Sequence, residues 1–202
     1  MRTQEHGISE EGPPAMVPAG YMAKRVCARP GWLASNEVID IYSVSSCFTH
    51  CFTDYVEYWR HNGFWLFDHP EIIGELSRDN SIDMTGLTFF YYKVFAKEFD
   101  PDEKCWASFG PEASFQTDIQ VPEEKVLAGY DVVSFSTHSS PECSPLSCNH
   151  LAEVISVNEH CLLRTFSEAK YHLERGAFNN AEPGPYRIFA IYRLPEWDRP
   201  GL

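Results

Sequence analysis

The stretch "TGLTFFYYKVFAKEF" (85–99) carries the strongest strand signal in the chain, and the fold class follows from it. Aromatic and β-branched residues dominate the stretch, and these are the residue types that pack well on a pleated sheet. The stretch has no proline, and its one glycine stands near its start, at the boundary with the preceding turn. The pattern therefore predicts a β-strand over these residues.

Five further segments show the short apolar or alternating patterns that are typical of strands. In most of them apolar and polar residues alternate along the chain, which predicts a strand with one buried face. Together with 85–99 they predict about six strands. The five segments are 37–44, 114–121, 129–137, 151–157 and 186–194.

Capping residues and chain breakers predict three helices. Thr165 and Glu168 form a capping box, in which each residue supplies a hydrogen bond to the backbone of the other. Proline in a first turn and glycine after a last turn support the other boundaries. The helices are a segment between Thr53 and Gly63, a segment 71–77 capped by Asp68, and a segment from Thr165 to Gly176.

The order of these elements predicts an α+β protein. The strands come in runs and do not alternate strictly with helices, which favours an antiparallel or mixed sheet of about six strands with about three helices on one face. We predict one domain over 23–195. Residues 1–22 are rich in Gly, Pro and Glu and are predicted to be a disordered tail, in which Met1, Met16 and Met22 are alternative starts. Residues 196–202 are predicted to be a flexible tail.

Composition and charge narrow the classes of function. The chain is 44% hydrophobic and 14% aromatic, which is enough to build a core. Its net charge is −13, from 29 acidic and 16 basic residues, and this disfavours nucleic-acid binding. The acidity favours either simple solubility or a basic protein partner, which opposite charge would attract.

Hydropathy and cysteine content address the compartment. No apolar run is long enough to span a bilayer, so no membrane association is predicted. No apolar segment follows a basic start, so no secretory signal is predicted. Seven cysteines, an odd number, favour free thiols in a reducing compartment, and the predicted location is cytoplasmic.

Two cysteine pairs could hold a metal ion. Cys47 and Cys51 are four residues apart, and Cys143 and Cys148 are five apart, which is close to the spacing of zinc ligands. Four thiolates suit zinc because thiolates are soft ligands. Two alternatives remain open: unmodified buried thiols, or a disulfide within either pair. No cofactor is predicted outright, and zinc is the one that these residues could bind.

A catalytic role is the next hypothesis. Cys148 and His150 have the residue types of a nucleophile and its base, and Cys143 stands nearby. They could serve a thiol- or metal-dependent hydrolase. No G-x-S-x-G, H-E-x-x-H, P-loop or G-x-G-x-x-G pattern occurs in the chain, and this favours a non-catalytic role.

Aromatic residues in predicted loops indicate a binding surface. Trp32, Trp106 and Phe109 could anchor a partner, because large rigid rings bury much area at small entropic cost. The alternative is that they fold back onto the sheet. With the acidic charge, they favour a non-catalytic binding or inhibitor protein of the immunity type. The hydrolase is the alternative, and the oligomeric state is left open.

Overall fold

Strands dominate the computed structural model, which describes residues 15–47, 50–51, 62–109, 118–137 and 141–198, with 50–51 described for the backbone alone. The strands are β1 (Met16–Arg25), β2 (Cys27–Ala28), β3 (Asp40–Ile41), β4 (His50–Cys51), β5 (Thr88–Asp100), β6 (Cys105–Ser108), β7 (Val126–Ser134) and β8 (Tyr186–Arg193). The helices are α1 (Pro70–Asn80), α2 (Pro145–Cys148) and α3 (Phe166–Glu174), with 3-10 turns at Leu151–Glu153 and Pro195–Asp198. Within these ranges no helix combines the length and the apolar character that crossing a bilayer requires.

The long strand β5 organises an antiparallel sheet of six strands. The order across the sheet is β4-β1-β5-β8-β7, and β6 also pairs with β5. Glu98 of β5 pairs with Arg187 of β8 on one edge and with Ala107 of β6 on the other. Strand β6 therefore continues the edge that β1 occupies further along β5. Strands β2 and β3 form a separate small sheet.

Both faces of the large sheet are covered. Ile188 and Phe189 are neighbours in β8, so their side chains point to opposite faces, and they belong to two different buried clusters. Helix α1 packs into the cluster of Phe189 through Ile73, whereas α3 packs into the cluster of Ile188 through Leu173. The prediction of all helices on one face is therefore wrong, because each face carries apolar side chains that need cover.

The α+β class and the strongest local signals are confirmed. Strands β5, β7 and β8 lie at the predicted segments, and α1 includes the predicted 71–77. At the start of α3, Thr165 Oγ1 accepts from the backbone N–H of Glu168 at 3.1 Å, and Glu168 Oε2 accepts from the N–H of Thr165 at 3.0 Å. The N-cap of α1 is His69, one residue after the predicted Asp68.

The tails differ from the prediction. Residues 16–22 were expected to be disordered, but they form most of β1, a strand with a buried core segment from Ala19 to Lys24. At the other end, residues 196–198 lie in a 3-10 turn, and the Trp197 ring packs at a tilt against Phe89 with 5.5 Å between centroids. Both segments gain order from contact with the sheet, which local composition does not report.

Two predicted strands are replaced by other structure. Of 37–44, only Asp40–Ile41 is paired, and 151–157 begins as a 3-10 turn, with Val154 80% exposed. Residues 118–121 are not a strand, and β6 was not predicted. The predicted 114–117 and most of the predicted 53–63 helix lie outside the described residues.

Candidate metal centre

Three cysteines from two distant parts of the chain form a cluster. The Sγ atoms of Cys47, Cys143 and Cys148 all lie within 4.8 Å of one another, and those of Cys47 and Cys143 are 3.9 Å apart. Cys47 is exposed, and the other two are half-buried. All three are free thiols, so neither of the disulfides that spacing allowed, Cys47–Cys51 and Cys143–Cys148, is formed. The cluster is the candidate functional site.

Strand β7 and helix α2 place Cys143 and Cys148. The backbone N–H of Ser134, the last residue of β7, donates to the carbonyl of Cys143 at 2.9 Å. Ser144 is the N-cap residue of α2, Pro145 begins the helix, and the N–H of Cys148 donates to the carbonyl of Ser144 at 2.8 Å. This single helical turn returns the chain toward Cys143, which lies just before the N-cap, and brings Cys148 Sγ within 4.8 Å of Cys143 Sγ.

Glu142 stabilises the hairpin that carries Cys143. Its carboxylate accepts from the N–H and hydroxyl of Ser136, at 2.9 and 2.6 Å, and from the N–H of Thr137 at 2.9 Å. Burial alone would raise the pKa of Glu142, but these hydrogen bonds outweigh it and lower the pKa. The carbonyl oxygen of the same residue lies 3.3 Å from Cys47 Sγ. The hairpin thus contacts the third cysteine as well.

A buried lysine positions the segment that leads to Cys47. Lys24 is 2% exposed, and its Nζ donates to the carbonyls of Ser43, Val44 and Ser45 at 2.6, 2.5 and 3.1 Å. An ammonium group has three donors, and these three carbonyls can use all of them. The contacts draw the segment 43–45 onto β1, two residues before Cys47.

A buried aspartate connects the two cysteine-bearing segments. Asp131 in β7 is fully buried and accepts from Ser144 Oγ at 2.6 Å, from the N–H of Val44 at 3.0 Å and from Ser43 Oγ at 3.3 Å. Burial raises its pKa to about 6, although these hydrogen bonds and the charge of Lys24 act in the opposite direction. One carboxylate therefore holds the segment before Cys47 and the residue after Cys143.

The three thiols differ in acidity because they share hydrogen bonds. Hydrogen bonds from Cys143 and then Cys148 lower the pKa of Cys47 strongly. Hydrogen bonding with Cys148 and Cys47, together with burial, raises the pKa of Cys143. A hydrogen bond from Cys143 lowers the pKa of Cys148, but the bond with Cys47 and burial outweigh it and raise the value to about 12. Cys47 is the thiol of the cluster whose pKa is lowered, and the thiolate is the form of cysteine that binds metals.

His150 does not belong to the thiol cluster. Its ring packs against Trp32 with 4.5 Å between centroids, and its Nδ1 lies 3.3 Å from Glu153 Oε1. The backbone of His150 has a φ of 61°, which is a left-handed conformation that turns the chain sharply. The predicted base His150 therefore contacts Trp32 and Glu153. The predicted nucleophile Cys148 lies beside two other thiols.

Three of the four predicted thiolate ligands come together. Cys51 lies in β4, where its backbone pairs with Lys24, and its side chain is outside the described residues. Its part in a metal site stays a prediction. Spacing indicated a contact of Cys47 with Cys51. The structure adds a contact of Cys47 with the second pair, Cys143 and Cys148.

The predicted binding aromatics occupy different environments. Trp106 packs against Phe99 with 5.1 Å between ring centroids, and Phe109 lies under the guanidinium of Arg187 at 3.9 Å. Both rings therefore pack on the sheet. Trp32 is 44% exposed and is the member of the set with the largest accessible surface.

An acidic cleft lies near the far end of β5. Its volume is about 500 Å³, and its wall includes the turn Pro183–Pro185 before β8. Glu98 in this wall accepts from Arg187 Nε at 3.0 Å, and Asp100 accepts from two backbone N–H groups of the turn that follows it. Part of the negative charge of the chain is therefore concentrated in this cleft. Its carboxylates are Glu98, Asp100, Asp102 and Glu182.

The sequence prediction did not include the residues that position the cluster, Lys24, Asp131 and Glu142. Two of them carried a usable signal, because a charged residue within an apolar strand pattern is expensive to bury without partners. Asp131 interrupts "GYDVVSFS", and Lys24 follows "GYMA" in the same way. Such a residue indicates a buried polar network, although it does not name the partners.

Comparison with known proteins identifies no relative. A scan against models of protein families gave no match. Searches among curated proteins and among solved structures gave no match either. The functional argument therefore rests on the thiol cluster and the groups around it.

Proposed function

We propose that this protein binds one thiophilic divalent ion, zinc, through Cys47, Cys143 and Cys148. The observation that carries the proposal is the approach of three Sγ atoms to within 4.8 Å of one another. Three cysteines at one point are unusual as packing alone, and thiolates are the ligands that zinc prefers among soft donors. Lys24 and Asp131 hydrogen-bond to the segments that carry the cysteines, and the three sulfurs are the atoms that would bind the ion.

The distances support a tetrahedral ion. Zinc–sulfur bonds of about 2.3 Å place two thiolates of a tetrahedral site about 3.8 Å apart. The 3.9 Å between the Sγ atoms of Cys47 and Cys143 is close to that edge length. The segments that carry them are anchored by Lys24 and Asp131, so ion binding requires little rearrangement of the backbone.

The fourth ligand decides between a structural and a catalytic role. Cys51 would close the site with four thiolates, which is typical of structural zinc. A water at that position would give an open site with Lewis-acid chemistry, the form that a metal-dependent hydrolase needs. The exposure of Cys47 favours access to the ion from solvent. The hydrolase proposal then depends on the metal and does not use His150 as the base of a thiol.

Metal titration of the reduced protein tests the proposal. We expect one Zn²⁺ or Co²⁺ per chain, with the visible spectrum of tetrahedral cobalt–thiolate, and Cys143→Ser should weaken binding at least about 100-fold. Cys105→Ser is the matched control, because Cys105 is an exposed thiol outside the cluster. The proposal fails if the wild type binds no ion or if both variants bind alike. Cys51→Ser then separates a four-thiolate site from an open one.

A second candidate function is binding of a basic protein partner, and the acidic cleft favours it. Negative charge concentrated on a concave surface attracts and orients a positively charged segment of a partner. In the cleft, Asp102 is exposed. It is the best position for a test that spares the fold.

Charge reversal measures the role of the cleft. Asp102→Lys should weaken binding of a lysine-rich peptide about tenfold at low salt, through like-charge repulsion. Asp79→Lys makes the same change at an exposed position of α1, outside the cleft, and should have a smaller effect. Equal losses for the two variants in isothermal titration would show that only net charge matters and would remove the cleft from the proposal.

A further inference from the structure

We propose that the thiol cluster is also a redox modification site, in which a peroxide converts Cys47 and Cys143 into a disulfide. Release of the bound ion would follow, and only this consequence rests on the proposed metal-binding function. The disulfide joins two cysteines that lie 96 positions apart in the chain, and it differs from both pairs that sequence spacing indicated. The proposal depends on three features: distance, access and anchoring.

The distance allows the bond to form by side-chain rotation. The two Sγ atoms are 3.9 Å apart, and a disulfide bond is about 2.05 Å long. Cys143 is fixed by the pairing of its backbone with Ser134. Cys47 lies in an exposed segment beyond the contacts that Lys24 makes. Most of the movement can therefore come from the side of Cys47.

Access selects the sulfur that reacts first. Oxidation of cysteines follows exposure and thiolate character, and Cys47 is the exposed member of the cluster. Cys161 makes a useful comparison, because it is a buried thiol outside the cluster and should stay reduced. A sulfenic acid formed at Cys47 would have two thiols within 4.8 Å that could condense with it.

The chemistry balances with a peroxide as the oxidant. The thiolate of Cys47 attacks one peroxide oxygen, the O–O bond breaks, an S–O bond forms, and the leaving oxygen takes a proton. Cys143 Sγ then attacks the sulfenic sulfur, an S–S bond forms as the S–O bond breaks, and the proton of the Cys143 thiol passes to the leaving hydroxide to give water. With hydrogen peroxide, two thiols and one peroxide give one disulfide and two waters. Two of three ligand thiolates are lost in the process, so the ion is released.

Mass spectrometry of the full-length protein tests the proposal. The reduced protein is treated with a small excess of hydrogen peroxide, with and without bound zinc, and digested without reductant. We expect a mass loss of about 2 Da, one peptide pair joining Cys47 to Cys143, and zinc release in step with it. A disulfide from Cys47 to Cys51 or Cys148, a pair of Cys143 and Cys148, or only over-oxidised Cys47 would overturn the proposal.

The Cys148→Ser variant separates this proposal from the metal site. It removes one ligand and keeps both disulfide partners, so it should lose zinc affinity yet still form the Cys47–Cys143 bond. Cys105→Ser should behave as wild type in both measurements. If Cys148→Ser binds zinc normally but forms the disulfide, the metal proposal fails and the redox one stands. If it forms no disulfide, the redox proposal fails whatever its metal affinity.

Discussion

Replacing Lys24 by methionine should lower the free energy of unfolding by about 3–5 kcal/mol at pH 7. Methionine has a similar length but no donor, so the carbonyls of Ser43, Val44 and Ser45 lose the Nζ that they share. Asp131 also loses a positive charge that lowers its pKa. The segment before Cys47 is released together with these contacts, so zinc affinity should fall as well.

The pH dependence of this loss identifies its cause. Burial raises the folded pKa of Asp131 to about 6, above the unfolded value of about 3.9. In wild type, this group therefore favours folding most at low pH, and its contribution declines as the pH rises from about 4 through about 6. Without Lys24 the folded pKa rises further, so the decline continues to higher pH. The difference between Lys24→Met and wild type should widen by about 1.4 kcal/mol for each further pKa unit.

Urea unfolding at several pH values measures both effects. Lys97→Met is the matched control, because Lys97 is an exposed lysine of β5 and should change stability by less than about 0.5 kcal/mol. A loss in Lys24→Met that is the same at pH 5 and pH 8 would separate Lys24 from Asp131. A loss no greater than that of the control would show that the carbonyl contacts do not stabilise the fold.

Replacing Gly20 by alanine should destabilise the protein by about 3 kcal/mol or more. Gly20 has a φ of +126°, which alanine rarely adopts, at the register shift in β1. An added Cβ would lie 2.6 Å from the carbonyl oxygen of Phe67 and 2.8 Å from Leu66 Cβ. These atoms belong to a segment that hydrogen-bonds to β1 through Tyr21 and Phe67, so they have little freedom to move.

Gly31→Ala is the control for the glycine experiment, because nothing lies within 4 Å of an added Cβ there. It should leave stability within about 0.5 kcal/mol of wild type or raise it slightly. Thermal unfolding compares the two variants. If Gly20→Ala is as stable as Gly31→Ala, residues 16–25 do not form a close-packed strand. The experiment therefore tests the element that composition assigned to a disordered tail.

Predictions from the sequence were accurate where the signal is local. Strand β5 is rich in residues that favour strands, and α3 begins at a capping box that needs only four consecutive residues. The strand β1 was missed because it contains Pro18 and Gly20 and is buried on both faces, so it shows no alternation. The segment 37–44 does alternate, but Val44 hydrogen-bonds to the side chains of Lys24 and Asp131 and not to the backbone of a neighbouring strand.

The candidate site shows the same limit. Spacing drew attention to Cys47, Cys51, Cys143 and Cys148 because short loops bring nearby cysteines together. Spacing could not report that Cys47 contacts Cys143 across 96 positions. That contact depends on Lys24 and Asp131, which lie in two strands of the sheet and become partners of the cysteine-bearing segments only after folding.

The amino-acid sequence by itself determined the α+β class, the strands with strong β propensity and the start of α3 at its capping box, because these depend on interactions between residues close in the chain. The tertiary structure alone decided that β1 is a core strand, that helices cover both faces, and that three cysteines meet. Each of these depends on contacts with residues that are distant in the chain. In β1 and around the cysteines, such contacts bury charged side chains and irregular backbone. The free energy of such burial depends on the partners that the fold supplies and not on the segment itself.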